Sequence, residues 1–161
     1  GVRPPGPDCY SEIQLVNEVT PTKEFHDVVM QLAHELVAQQ RNHPSVFFWG
    51  SMNEVLITTY RKGFTPAQRT EYFVQVRELV REVDTFYREV DPSRLTSFAI
   101  HGDYNMYSEA GLLDIPQVPG MNLYYGWYEP KMDGAREFVE RYHHDVPDRP
   151  LLMTEYGAGA D

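Results

Sequence analysis

The chain is short of cysteine, of positive charge and of long apolar runs, and each shortage removes a class of function. Cys9 is the one cysteine in 161 residues, which excludes an internal disulfide and a thiolate metal cage and leaves the compartment open. With 24 acidic against 14 basic residues the formal net charge is −10. Such a chain repels a phosphate backbone, so nucleic acid is not an expected partner. No stretch approaches the run of roughly 20 apolar residues that a membrane-spanning helix requires, and no membrane partner is expected. The opening residues 1–8 are rich in proline and glycine and lack the charged and apolar regions of a secretory leader. A cytoplasmic and a secreted location both stay open.

Several catalytic signatures are missing as well. No glycine-rich phosphate fingerprint follows an apolar run, and no serine sits in a nucleophile elbow. His143 and His144 are adjacent, so they cannot share one helix face as a zinc-binding pair would; no metal site is expected. There is no internal repeat, low-complexity tract or linker. One domain is expected over residues 1–161, with 1–10 as an irregular lead-in.

What is present is alternation. Apolar runs at Glu12–Val16, Val46–Trp49, Leu95–Ile100, Gly120–Tyr125 and Pro150–Thr154 read as strands, the second continuous enough to be buried on both faces. Between them lie stretches of helical period. Thr20-Pro21 supplies a cap and a first-turn proline for a helix in which Phe25, Val28, Val29, Leu32, Ala33, Leu36 and Val37 recur at steps of three and four. Asn42-His43-Pro44 interrupts that pattern. Thr65-Pro66 repeats the cap signal for a helix from Tyr72 through Val90, closed by Pro92, and Met132 to Tyr142 gives a shorter one. Strand alternating with helix predicts an α/β fold with a parallel sheet and crossover helices. A (β/α)8 barrel and an open doubly wound sheet both satisfy the pattern. The open sheet lacks its glycine-rich phosphate fingerprint here, and a barrel also explains why polar residues cluster just past the strands, since barrel sites form at the strands' C-terminal ends.

Two carboxylates occupy that position. Glu54 follows the run ending in Gly50-Ser51-Met52-Asn53, and Glu155 follows Leu151-Leu152-Met153-Thr154. Glycosidic cleavage needs such a pair: one carboxyl protonates the leaving oxygen while the other attacks or activates water, with environments that push their proton affinities apart. By position alone, two ordinary loop glutamates fit equally well. Aromatic residues make up 13% of the chain, with eleven tyrosines, which suits sugar stacking and a large core alike.

The local words go further. Arg41-Asn42-His43-Pro44-Ser45-Val46 leading to Asn53-Glu54 resembles the acid/base signature of glycoside hydrolase family 2. Asn122-Leu123-Tyr124-Tyr125-Gly126-Trp127-Tyr128 resembles that family's next block, and Thr154-Glu155-Tyr156-Gly157-Ala158 its nucleophile block. The three stand in family order, with Glu54 and Glu155 101 positions apart. The resemblance implies a TIM barrel with Glu54 as acid/base and Glu155 as nucleophile of a retaining exo-β-glycosidase. No cofactor is required for that chemistry, although magnesium or sodium is bound by some galactosidases of the family. By the same resemblance Asn53 binds the sugar 2-hydroxyl and Tyr124 hydrogen-bonds the nucleophile; a turn asparagine and a core tyrosine are the plainer readings. Trp127 stacks on sugar or packs beneath its loop. His101 and Asn122 reach sugar hydroxyls or serve the scaffold, and His43 supports its loop by hydrogen bonding.

The resemblance maps onto barrel strands three to seven only, so only part of the barrel is expected in this chain. Two unpaired sheet edges and an apolar face then follow. Expected partners are a carbohydrate substrate together with the remaining segments of a larger glycosidase or a second copy. The residues from Thr154 to Ala160 resemble the β-galactosidase branch. A β-glucuronidase, or an inactive carbohydrate-binding or scaffold fragment, are the alternatives.

Overall fold

The computed structural model describes residues 9–157. The expected lead-in over 1–8, and the nucleophile word from Ala158 onward, lie outside the described residues. Five strands, β1 (Cys9–Glu12), β2 (Val46–Asn53), β3 (Leu95–His101), β4 (Val118–Asn122) and β5 (Leu152–Glu155), form one sheet in sequence order. Every neighbouring pair is parallel. Helices α1 (Lys23–Gln40), α2 (Pro66–Val90), α3 (Tyr104–Glu109) and α4 (Gly134–Asp145) fill the crossovers. A doubly wound sheet reverses its strand order partway, whereas a barrel adds each new strand beside the last. The unbroken order β1 to β5 therefore selects the barrel, of which these strands make a partial wall.

Several boundaries differ from the sequence reading. β1 occupies Cys9–Glu12 rather than Glu12–Val16, so Cys9 and Tyr10 are strand and not irregular lead-in. The alternation beyond it misled because Ile13 and Leu15 are buried while Val16 is exposed, as in a strand. Those residues instead run on in extended loop, tied to β2 by single bonds such as Asn53 N–H to the Leu15 carbonyl at 2.8 Å. Thr22, not Thr20, caps α1, its hydroxyl accepting from Phe25 N–H. Val29, Ala33 and Val37 are buried as expected, but Val28 and Leu32 are exposed. β4 ends at Asn122 and releases Leu123–Tyr125 to the loop. α4 starts at Gly134, leaving Met132 exposed outside it. The short α3, capped by Asp103, was not anticipated, because six residues carry too little periodicity.

The core lies between sheet and helices. Thr65 and Gln68 form a reciprocal capping box that starts α2, and Tyr72, Phe73, Val76, Val80, Val83 and Tyr87 bury its inner face. Trp49 of β2, fully buried, stacks on Tyr87 at 5.9 Å and donates its indole N–H to Asp91 at 3.1 Å. Arg94 pairs with Asp91 and donates to the carbonyls of Val46 at 2.7 Å and His43 at 3.1 Å. This clamp holds the start of β2 against the α2–β3 turn and so fixes the rod at whose far end Glu54 stands. His43 supports the loop through its backbone carbonyl.

Close strand packing demands glycine at position 120. A Cβ there would lie 2.3 Å from the Phe98 carbonyl oxygen and 2.5 Å from Thr154 Cγ2, and the carbonyl belongs to the β3 ladder. Gly120→Ala is expected to cost about 1–3 kcal/mol through forced strand displacement, read as a lowered midpoint in denaturant unfolding.

Candidate active site

The parallel strands deliver their C-terminal ends to one rim. Glu54 stands immediately after β2 with φ of 51°, a conformation that costs a non-glycine residue about 1–2 kcal/mol. The strain is held by Glu54 N–H bonding to the Ala99 carbonyl at 2.8 Å, just past a register shift between Gly50 and Asn53. The backbone thereby leaves the ladder at Glu54 and sends the side chain over the rim. Such strain is stored where geometry matters more than stability.

Asn122, the last residue of β4, is 3% exposed and organises the rim. Its Nδ2 donates to Glu54 Oε1 at 2.9 Å and to Asn53 Oδ1 at 3.0 Å. Its Oδ1 accepts from the Thr154 hydroxyl at 2.7 Å, which fixes the amide's orientation. Because Asn53 accepts through Oδ1, its own Nδ2 is the end left to donate outward. Tyr124, two residues past β4, donates its hydroxyl to Glu155 Oε2. That bond pushes the Tyr124 phenol up to about 12. Glu155 is the final residue of β5, not one beyond it, and its carbonyl accepts from Leu123 N–H at 2.9 Å.

The other expected residues are less central. His101 ends β3 with Nδ1 3.1 Å from the Tyr107 hydroxyl, and that hydroxyl accepts from Leu56 N–H at 3.3 Å. The Tyr107 hydroxyl thereby holds the imidazole by its Nδ1 edge and leaves Nε2 as the other ring nitrogen. Burial lowers the His101 pKa against the pull of Glu54, which favours a neutral ring close to that carboxyl. Trp127 is 46% exposed, stacked on Tyr128 at 4.4 Å and edge-on to Tyr124 at 5.4 Å; it borders the site and hydrogen-bonds neither glutamate.

The rim also gathers residues that the sequence reading passed over. Glu12 at the end of β1 lies close enough to Glu155 and Glu54 to feel both charges. Thr154 and Tyr107 orient Asn122 and His101. Glu12 carried the same signal as the other two, a glutamate at a strand end, hidden because the strand's end was placed at Val16, four residues late. No cluster of three or more metal-type ligands occurs among the described residues. No described helix is long and apolar enough to cross a membrane.

Comparison with known proteins agrees with this architecture. Residues 7–160 match the family described as glycosyl hydrolases family 2, TIM barrel domain. A β-glucuronidase of Bacteroides fragilis is 30% identical over 155 residues, covering 96% of this chain and 19% of that protein. A β-glucuronidase of Streptococcus agalactiae is 29% identical over 143 residues, covering 85% of this chain and 21% of the relative. The crystal structure of a Bacteroides uniformis β-glucuronidase superposes with a TM-score of 0.88 at 35% identity, covering 94% of this chain and 18% of that one. The chain thus spans about a fifth of the length of the relatives it matches.

Proposed function

The chain belongs to glycosyl hydrolase family 2 as part of its TIM barrel domain, and on that premise we propose that it carries the reacting carboxyls of a retaining β-glucuronidase. Glu54 is the acid/base and Glu155 the nucleophile. One observation carries the reading: a continuous set of hydrogen bonds runs Asn53–Asn122–Glu54 and Asn122–Thr154, with Tyr124 on Glu155 beside it. Ordinary loop glutamates acquire no such array.

The chemistry follows from the donors. Tyr124 holds the Glu155 carboxylate turned for attack on the anomeric carbon. Glu54, oriented by Asn122, gives its proton to the leaving oxygen, and a covalent glycosyl ester forms on Glu155. Water then attacks that ester while Glu54 recovers the proton, so the anomeric configuration is retained. Asn53 Nδ2 is a donor available to a sugar hydroxyl, and His101 Nε2 is a second polar contact. A bond to the 2-hydroxyl that strengthens toward the transition state adds to rate rather than to binding.

For the sugar, the relatives named above are β-glucuronidases. The β-galactosidase preference expected from the residues around Glu155 therefore gives way to a β-glucuronide. An active preparation is expected to hydrolyse an aryl β-glucuronide with kcat/KM at least about tenfold above the matching β-galactoside, a margin that one well-used polar contact supplies. Preference for the galactoside would overturn the sugar assignment. Sugar binding with no hydrolysis of either would favour the non-catalytic carbohydrate-binding reading.

A further inference from the structure

Glu54 opens a turn that is held from outside its own strand. The Glu54 carbonyl accepts from Ile57 N–H at 2.9 Å, which closes residues 54–57 just past β2 and leaves the N–H of the third residue, Leu56, without a partner inside the turn. Val55 and Leu56 are fully buried, where a backbone N–H needs an acceptor. That acceptor is a side chain from another element, the Tyr107 hydroxyl at 3.3 Å.

Tyr107 comes from α3 and is itself fully buried. Its ring stands edge-on to His101 at 5.3 Å, and its hydroxyl is 3.1 Å from His101 Nδ1. Three residues earlier Tyr104 packs edge-on against Phe138 at 5.5 Å and Tyr142 at 5.6 Å, and donates its hydroxyl to Asp145, all on α4. One tyrosine therefore fixes α3 on α4, and the other reaches the ends of β2 and β3.

We propose that Tyr107 is a positioning residue for the acid/base: its hydroxyl ties the turn that carries Glu54 to His101 and so holds Glu54 where the leaving oxygen is protonated. The proposal rests on the glycosidase reading above.

Two anchors then bracket Glu54. Ahead of it the turn is tied to β3, by Glu54 N–H on the Ala99 carbonyl at 2.8 Å. Behind it the tie is Leu56 N–H on Tyr107. Between them the backbone keeps a φ of 51°, which a glutamate does not favour on its own, so loss of either anchor lets the turn relax and the carboxyl move. Burial pushes the Tyr107 phenol well above its ordinary range. It therefore acts as a neutral hydrogen-bonding hydroxyl and not as a proton carrier.

The test is a rate series on aryl β-glycosides with leaving groups of graded acidity, for the active protein, Tyr107→Phe and Tyr104→Phe. Tyr107→Phe keeps the ring and removes the hydroxyl. Its kcat/KM is expected to fall about tenfold or more for poor leaving groups, a share of the ~10²–10⁴ a general acid supplies, and less than about twofold for an activated one that departs without a proton. The dependence of rate on leaving-group acidity thus steepens. Tyr104→Phe takes a hydroxyl from the same helix on its α4 side and should leave the slope unchanged. Replacing Leu56 by its α-hydroxy acid removes the N–H with every side chain intact. It should steepen the slope as well, and it covers the outcome in which Tyr107→Phe does not fold. An unchanged slope in the folded variants, a loss equal across the series, or a steepening shared by Tyr104→Phe would overturn the role of Tyr107 and leave the glycosidase reading standing. Absence of hydrolysis in the unaltered protein would remove both.

Discussion

Replacing Glu155 with glutamine is expected to lower kcat at least ~10³-fold, a barrier increase of about 4 kcal/mol, with little change in melting temperature. The amide has the shape of the carboxyl and still accepts from Tyr124, whose bond to Glu155 is the local structural tie. What it loses is charge. A neutral amide oxygen is a weak nucleophile at the anomeric carbon and offers nothing to the positive charge that develops there. The covalent intermediate should vanish with the rate, so mass spectrometry after quenching with a slow substrate gives an independent readout. A glutamine variant with its rate intact would show that the nucleophile has been misassigned.

Glu54→Ala carries the second large effect, and its pattern matters more than its size. For substrates with poor leaving groups, loss of the general acid should cost ~10²–10⁴-fold in kcat/KM. For an activated aryl leaving group, which departs without a proton, kcat/KM should fall far less. kcat still drops there, because the second step needs the same residue as a base. KM should fall with it as the glycosyl ester accumulates. A rate series across leaving groups of graded acidity checks this. Equal losses throughout would count against an acid role, whatever their magnitude. The bond from Asn122 to Glu54 at 2.9 Å is left without its acceptor in this variant, so a thermal melt should accompany the kinetics.

How legible this molecule was depends on the element. The run Val46–Trp49 and the Thr65-Pro66 start of α2 were readable because each is local: an apolar stretch in one, cap chemistry in the other. The strand at Cys9–Glu12 was misplaced, since Ile13 and Leu15 alternate inward like strand residues while belonging to a loop. That error concealed Glu12. The six-residue α3 had too few turns to show a period, although its Asp103 cap is an ordinary signal. Trp127 illustrates the limit in the other direction. Its word was recognised, yet the ring lies half exposed against Tyr128 and hydrogen-bonds neither glutamate.

By itself the sequence determined the alternation of strand and helix, the family to which three short words belong, and two of the glutamates. Each of these is written in contiguous residues, where periodicity, capping and signature spacing act. The tertiary structure decided which of the 24 acidic residues share one rim. It made Asn122 the amide that joins Asn53, Glu54 and Thr154, and it brought Glu12 of the first strand within reach of the Glu155 charge on the last. No local pattern encodes those meetings. They come from parallel strands laid side by side in chain order, which carry residues far apart in sequence to the same end of the sheet. Whether a strand-end carboxylate shares a rim with another is a property of that lateral order and not of its neighbours along the chain.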